Sequence, residues 1–178
     1  MTSLFELLKT RRSIRNYLPK EVEIEKIIQI TNAALMAPSS KRSIPWEFIV
    51  IEDKQMLVKL SECRSQSSKM LAASPLAIVV LADKTKSDVW LEDASIAAII
   101  MQLEAQDLGL GSCWIQVYGR EKDEHQTSEE YIRELLKIPG QYGALCILSI
   151  GYPNEERKPF EIEKLATNKI HFEEFKIQ

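Results

Sequence analysis

Two short segments near the N-terminus carry the residue types that chemistry needs. The first is Arg11-Arg12-Ser13-Ile14-Arg15, which gathers guanidinium groups and a hydroxyl directly after a short helical pattern. Guanidinium is planar, permanently charged and able to grip a phosphate through two parallel hydrogen bonds. The second is Pro38-Ser39-Ser40 followed by Ile44-Pro45-Trp46, a proline-bounded turn whose backbone and hydroxyl groups suit the edge of a flat polar ring. A phosphate grip with a ring-edge grip describes a site for a phosphorylated aromatic cofactor. Each segment also has a plainer reading. The basic run fits a solvated turn, or a set of partners for the chain's own carboxylates. Pro38-Ser39-Ser40 fits a helix stop, and Trp46 a core aromatic.

Other chemistries lack their residues. There is no G-x-x-x-x-G-K-[ST] phosphate loop and no G-x-G-x-x-G, and Gly109-Leu110-Gly111 is too short to serve as one. No G-x-S-x-G elbow occurs, and neither His125 nor His171 has a serine or cysteine partner that would suggest a triad. The carboxylates are scattered, so no glycosidase-type pair emerges, and no histidine or thiol spacing suits a metal. Any catalysis must then belong to a bound cofactor. The net charge of −3 argues against a nucleic-acid binder and makes the basic run stand out. Cys63, Cys113 and Cys146 are odd in number and lack C-x-x-C, as expected of buried reduced thiols in a cytoplasmic protein. No apolar leader or long apolar span is present, so neither secretion nor membrane insertion is expected.

The elements that must position these groups follow from periodicity. A chain of 178 residues is expected to form one domain over 1–178. Ser3 with Glu6 suggests a capping box ahead of Leu4, Phe5, Leu7 and Leu8. Ile24, Ile27, Ile28, Thr31, Ala34 and Leu35 recur at helical spacing, with Pro38 as the stop. The run from Trp46 to Ile51 reads as a buried strand, and Asp53 as the cap of a helix carrying Met56, Leu57 and Leu60. Polar Arg64 to Lys69 read as a loop or irregular helical turn. Leu76 to Ala82, Ser112 to Val117 and Ala144 to Ile150 read as further strands. Trp90 to Leu108 is a long helix, apolar on most faces and stopped by Gly109. Thr127 with Glu130 marks another capping box. The charged tail carries Ile162, Leu165, Ile170, Phe172 and Phe175, which suggests that it docks onto another surface, such as a second subunit. Periodicity alone favours a three-layer α/β domain of the doubly wound parallel kind.

With these pieces in order, the chain resembles the nitroreductase family of FMN-dependent, usually homodimeric oxidoreductases. The resemblance rests on R-R-S-I-R at 11–15, A-P-S-S at 37–40, P-W-E-F at 45–48 and A-S-P at 73–75. It continues through Asp93, L-G-L-G-S-C-W-I at 108–115, I-G-Y-P at 150–153 and K-I-H-F at 169–172. It implies an α+β fold in place of the parallel one: a mixed-sheet sandwich flanked by helices, dimeric, with C-terminal arms exchanged. It also implies roles. Arg11, Arg12, Ser13 and Arg15 would grip the FMN phosphate and ribityl chain, with Arg157 or Lys158 completing the phosphate site. Pro38, Ser39 and Ser40 would lie against the flavin held mainly by the partner. Gln66 and Lys69 would approach the ribityl chain and pyrimidine edge, and Trp114, Ile115, Gln116 and Val117 would bring backbone near flavin N5.

The implied activity is NAD(P)H-dependent, with NADH or NADPH as transient donor and no covalent catalytic side chain. Nitroaromatics, quinones or activated alkenes would take the electrons in a ping-pong cycle. Alternatives are a specialised flavin enzyme of the same family, dehalogenase-like or flavin-modifying, or a non-catalytic FMN-binding module. The chain departs from many relatives at Arg42 (asparagine), Ile44 (glutamine), Gln66 (asparagine) and Gln116 (glutamate). Arg42 would set a cation near N1 and O2, where charge accumulates in the reduced flavin. Only Asp83 to Val89 separate the second strand from the long helix, where larger relatives carry a covering insertion, so an open site is expected.

Overall fold

Leu76–Asp83 is apolar at every position but its last, and it can be so because both of its faces are covered. The computed structural model describes residues 3–176. In it Leu76–Asp83 is the second strand, β2, of a four-stranded sheet with β1 (Trp46–Ile51), β3 (Gly111–Gln116) and β4 (Tyr142–Gly151), in the order β1-β2-β4-β3. Leu76, Ile78, Val80 and Ala82 point to one face. There they meet Ile27, Ile30 and Ala34 of α2 (Ile24–Leu35) and Ala94, Ala97, Ala98, Met101 and Ala105 of α4 (Trp90–Asp107). Ala77, Val79 and Leu81 point to the other face, toward Leu57 and Leu60 of α3 (Lys54–Leu60), Leu71, and Ile132 of α5 (Ser128–Leu136). Each large side chain so buried is worth about 1.5–3 kcal/mol. α4 is apolar on most faces because it serves a sheet on one side and α2 on another.

The layering is what periodicity predicts, but the strand direction is not. β1 with β2, β2 with β4 and β3 with β4 all pair antiparallel, so the doubly wound parallel arrangement is wrong. A continuous apolar run reports cover on both faces, and parallel sheets are merely the commonest place to find it. The fold is the expected α+β sandwich with flanking helices, and among the described residues its parallel component is a single bridge, Ser13 with Ser112, beside β3. β1 also departs from the buried strand expected of it. It is an edge strand whose Glu47 and Val50 reach solvent.

The caps explain where elements begin and end. The Asp53 carboxylate accepts from Met56 N at 2.8 Å, and Thr127 with Glu130 forms a complete capping box. At α1 (Leu4–Thr10) only half of the expected box forms: Ser3 Oγ accepts from Glu6 N at 3.2 Å, while the Glu6 carboxylate faces Lys9. α2 stops at Leu35, ahead of Pro38, because a residue before proline resists helical backbone. Gly109, with φ of 76°, ends α4 in the left-handed region. Beyond β4 the described residues form only 3-10 turns, Ile162–Lys164 and Thr167–Lys169, and most of this tail is exposed.

Candidate functional site

The basic run owes its position to hydrogen bonds that span the chain. Ile14 N donates to the Ser112 carbonyl at 3.0 Å, and Gln102 Nε2 of α4 donates to Ser112 Oγ at 3.1 Å. Ile14 lies so close to Gly111 that an added Cβ there would sit 2.7 Å from its side chain, which only glycine allows. The Tyr17 hydroxyl donates to the Ile14 carbonyl at 2.6 Å and lies 2.8 Å from Ser149 Oγ. Burial pushes this phenol upward, so it stays neutral. Just past β4, Asn154 N donates to the Asn16 carbonyl at 2.9 Å. Glu155 Oε1 accepts the amides of Arg15, at 2.5 Å, and Asn16, at 3.1 Å, and its other oxygen lies 2.5 Å from an Arg157 guanidinium nitrogen. The Arg15 amide is the chief reason the Glu155 carboxyl sits below the usual range.

These ties open a cavity of about 310 Å³ lined by Arg11, Arg12, Ser13, Arg15, Arg157 and Phe160. The Arg12 guanidinium carbon lies 4.2 Å above the centre of the Phe160 ring. Phe160 N in turn donates to the Lys9 carbonyl, at 2.9 Å, in the last turn of α1. The lining holds four guanidinium groups and a hydroxyl, with Glu155 beside them as counter-charge. That donor set fits a phosphate monoester, a small dianion with oxygens on several sides. Of the two late basic residues, Arg157 lines the cavity, whereas Lys158 is exposed and is not part of its lining.

Pro38, Ser39 and Ser40 lie elsewhere, against the first turn of α4. Buried Asp93, 2 % exposed, accepts from Ser40 N at 2.8 Å, Ser43 Oγ at 3.3 Å and Ser87 Oγ at 2.7 Å. Ser39 Oγ accepts from Ile44 N at 3.0 Å. Between these anchors Lys41, Arg42 and Ile44 all take positive φ, at 52°, 55° and 45°. Such backbone costs about 1–3 kcal/mol per residue, and a β-branched side chain there is a true outlier. Arg42 is thereby held out into solvent. Asp93 and Gln102 thus hold the two grips on one helix, about 14 Å apart along its axis at 1.5 Å per residue.

The remaining residues are distributed along β3 and the α3–β2 loop. Trp114, Ile115, Gln116 and Val117 run along the edge strand from Ser112, where it meets the basic run. Trp114 Nε1 donates to Gln116 Oε1 at 2.8 Å, and Gln116 Nε2 donates to the Tyr118 carbonyl at 3.0 Å. Ile115 and Val117 are buried, so only their backbone could meet a ligand. Gln66 and Lys69 are exposed and lie outside the arginine cavity. Sequence reasoning missed Glu155, Phe160, Gln102 and the anchoring role of Asp93. Glu155 follows I-G-Y-P, but nothing local marks it as the partner of amides about 140 positions away. Among the described residues no cluster of histidine, cysteine and carboxylates fits a metal, and no helix is long and apolar enough to cross a membrane.

Comparison with known proteins bears on the same residues. The sequence profile of the Nitroreductase family matches residues 8–67 and 63–152, taking in the basic run, the Pro38 loop and β3. A curated protein of Archaeoglobus fulgidus, named "Putative NADH dehydrogenase/NAD(P)H nitroreductase", is 37% identical over 180 residues, covering 98% of this chain and 100% of its own. A Bacillus subtilis protein named FMN reductase (NAD(P)H) is 27% identical, over 89% of this chain and 70% of its own. A solved structure named as an FMN-dependent nitroreductase from Clostridium difficile R20291 superposes with a TM-score of 0.95 at 53% identity, covering 97% of this chain and 100% of that one. With a profile spanning most of its length and relatives aligned end to end, this chain belongs to the nitroreductase family.

Proposed function

We propose that this protein is an FMN-dependent oxidoreductase that draws electrons from NADH or NADPH and passes them to small flat electrophiles. Nitroaromatics, quinones and activated alkenes are the acceptor classes that suit it. The arginine-lined cavity carries this reading, because it supplies an anion site with the donors a phosphate needs at the start of the β3 edge. The bound flavin would supply two-electron redox chemistry, taking hydride from the nicotinamide and yielding the electrons to an acceptor in separate half-reactions.

The chain's own residues do the holding and orienting. Arg11, Arg12, Arg15 and Arg157, with the Ser13 hydroxyl, hold the phosphate. Backbone groups of Trp114 to Gln116 lie on the edge strand that runs on from Ser112, and would face the ring. The Pro38–Ser40 loop, set by Asp93, closes a site belonging to a second copy. A homodimer is supported by α1, a helix with no buried residue although it carries Leu4, Phe5 and Leu8. The short Asp83–Val89 connection leaves little to cover the site, in keeping with a broad acceptor range.

Anaerobic addition of NADH or NADPH to the purified yellow protein tests the proposal. Flavin absorbance should bleach within seconds with at least one donor and return on adding a quinone. Flavin that stays oxidised with both donors would refute the reductase reading.

A further inference from the structure

Four guanidinium groups around one cavity repel one another, and each needs a reason not to swing into solvent. Arg157 has Glu155 as its counter-ion. The amide of Arg15 is pinned by the same carboxylate, which fixes the backbone of the basic run. The contact that holds the Arg12 head in the cavity is of another kind, the face of Phe160 at 4.2 Å. Phe160 is well placed for this. Its amide is tied to the end of α1, its ring borders the cavity, and its remaining surface lines an apolar groove with Phe5, Leu8, Ile162 and Leu165. A charged head lying on a ring keeps its outer N–H groups free to donate, which a carboxylate partner would not permit.

We propose that Phe160 is a positioning residue for the phosphate end of the cofactor: its ring holds the Arg12 guanidinium aimed into the cavity and so sets the preference for a phosphorylated ligand over its dephosphorylated form. This rests on the reading of the cavity as a phosphate site. Phe160 acts only through Arg12, so its effect is confined to the phosphate and is silent toward the rest of the ligand.

Titrating the flavin-free full-length chain with FMN and with riboflavin, followed by fluorescence quenching, separates the possibilities. The wild type should bind FMN much more tightly than riboflavin. Phe160→Leu, which keeps the apolar groove filled but removes the ring, should reduce that preference about two- to fivefold, the range of an exposed cation–π contact, with riboflavin affinity unchanged. Phe160→Tyr should restore it. Adding Phe160→Leu to an Arg12→Ala chain should change nothing further. An unchanged preference in Phe160→Leu, or an equal loss for both flavins, would overturn the proposal and leave Phe160 as cover for the groove. A wild type that binds both flavins alike would instead refute the phosphate reading of the cavity, and this inference with it.

Discussion

At the scale of single residues, the site depends as much on what holds the arginines as on the arginines themselves. Glu155 joins the basic run to Arg157, and the Arg15 amide keeps its carboxyl below the usual range. A depressed native pKa means that its stabilisation is complete above the unfolded value of about 4.3 and drains away as pH falls through the native one. Hydrogen bonds to a charged group are worth up to about 3 kcal/mol, and solvent around this half-buried one reduces that to about 1. Glu155→Gln should therefore lower the melting temperature by about 2–4 °C at pH 7. The gap between variant and wild type should close as pH falls through and below the ordinary glutamate range, as wild-type Glu155 protonates. A gap constant with pH would show that the charge is not what matters. The proposal that Arg42 reaches the ring edge predicts that Arg42→Ala lowers the flavin midpoint potential by roughly 20–40 mV, since about 30 mV corresponds to 1.4 kcal/mol for two electrons. An unmoved potential would remove Arg42 from the ring edge. The basic run was legible because residue type and local density signal it. Glu155 and Phe160 were not, because a lone glutamate and a lone phenylalanine in a charged tail look like any others until the chain closes.

Elements were legible where their chemistry is local. Caps at Asp53 and Thr127, the stop at Gly109 and the two-sided cover of β2 all follow from residue type and spacing. Strand direction was not, because apolar patterning is blind to which neighbour a strand finds. The loop from Pro38 to Ile44 shows a second limit. Serines read as turn formers, but nothing in the local sequence signals three positive φ values at non-glycine residues, which occur where Asp93 of the adjacent helix and Ser39 Oγ anchor the loop. Removing that acceptor should release the loop. In Asp93→Asn, one carboxylate oxygen becomes a donor facing two serine hydroxyls, at a cost of about 1–3 kcal/mol. Trypsin should then cut after Lys41 and Arg42 about five- to a hundredfold faster, since local opening gains tenfold for each 1.4 kcal/mol lost. Cleavage at the wild-type rate would mean that the loop holds its shape without Asp93.

For the whole molecule, the question is what covers the apolar surface that a single chain leaves bare. α1 has seven residues, too few to be stable alone, and its Leu4, Phe5 and Leu8 are exposed. The tail touches it through Ile162 and Leu165, which share a groove with Phe5 and Leu8. Further along, Ile170, Phe172 and Phe175 have 60–79% of their surface in solvent. Exposed apolar side chains in this number are a liability unless another surface meets them, and a second copy presents the same groove. Replacing Phe172 and Phe175 with aspartate should raise the monomer fraction, measured by light scattering after size exclusion. It should also weaken FMN binding, although neither residue lies in the arginine cavity. That pairing of effects is the useful part. A variant that becomes monomeric yet binds FMN as tightly as the wild type would show that one chain builds the whole site. A variant that stays dimeric would move the interface off the tail and onto the helical face around Ile24, Ile28 and Leu35, which is also bare in the single chain.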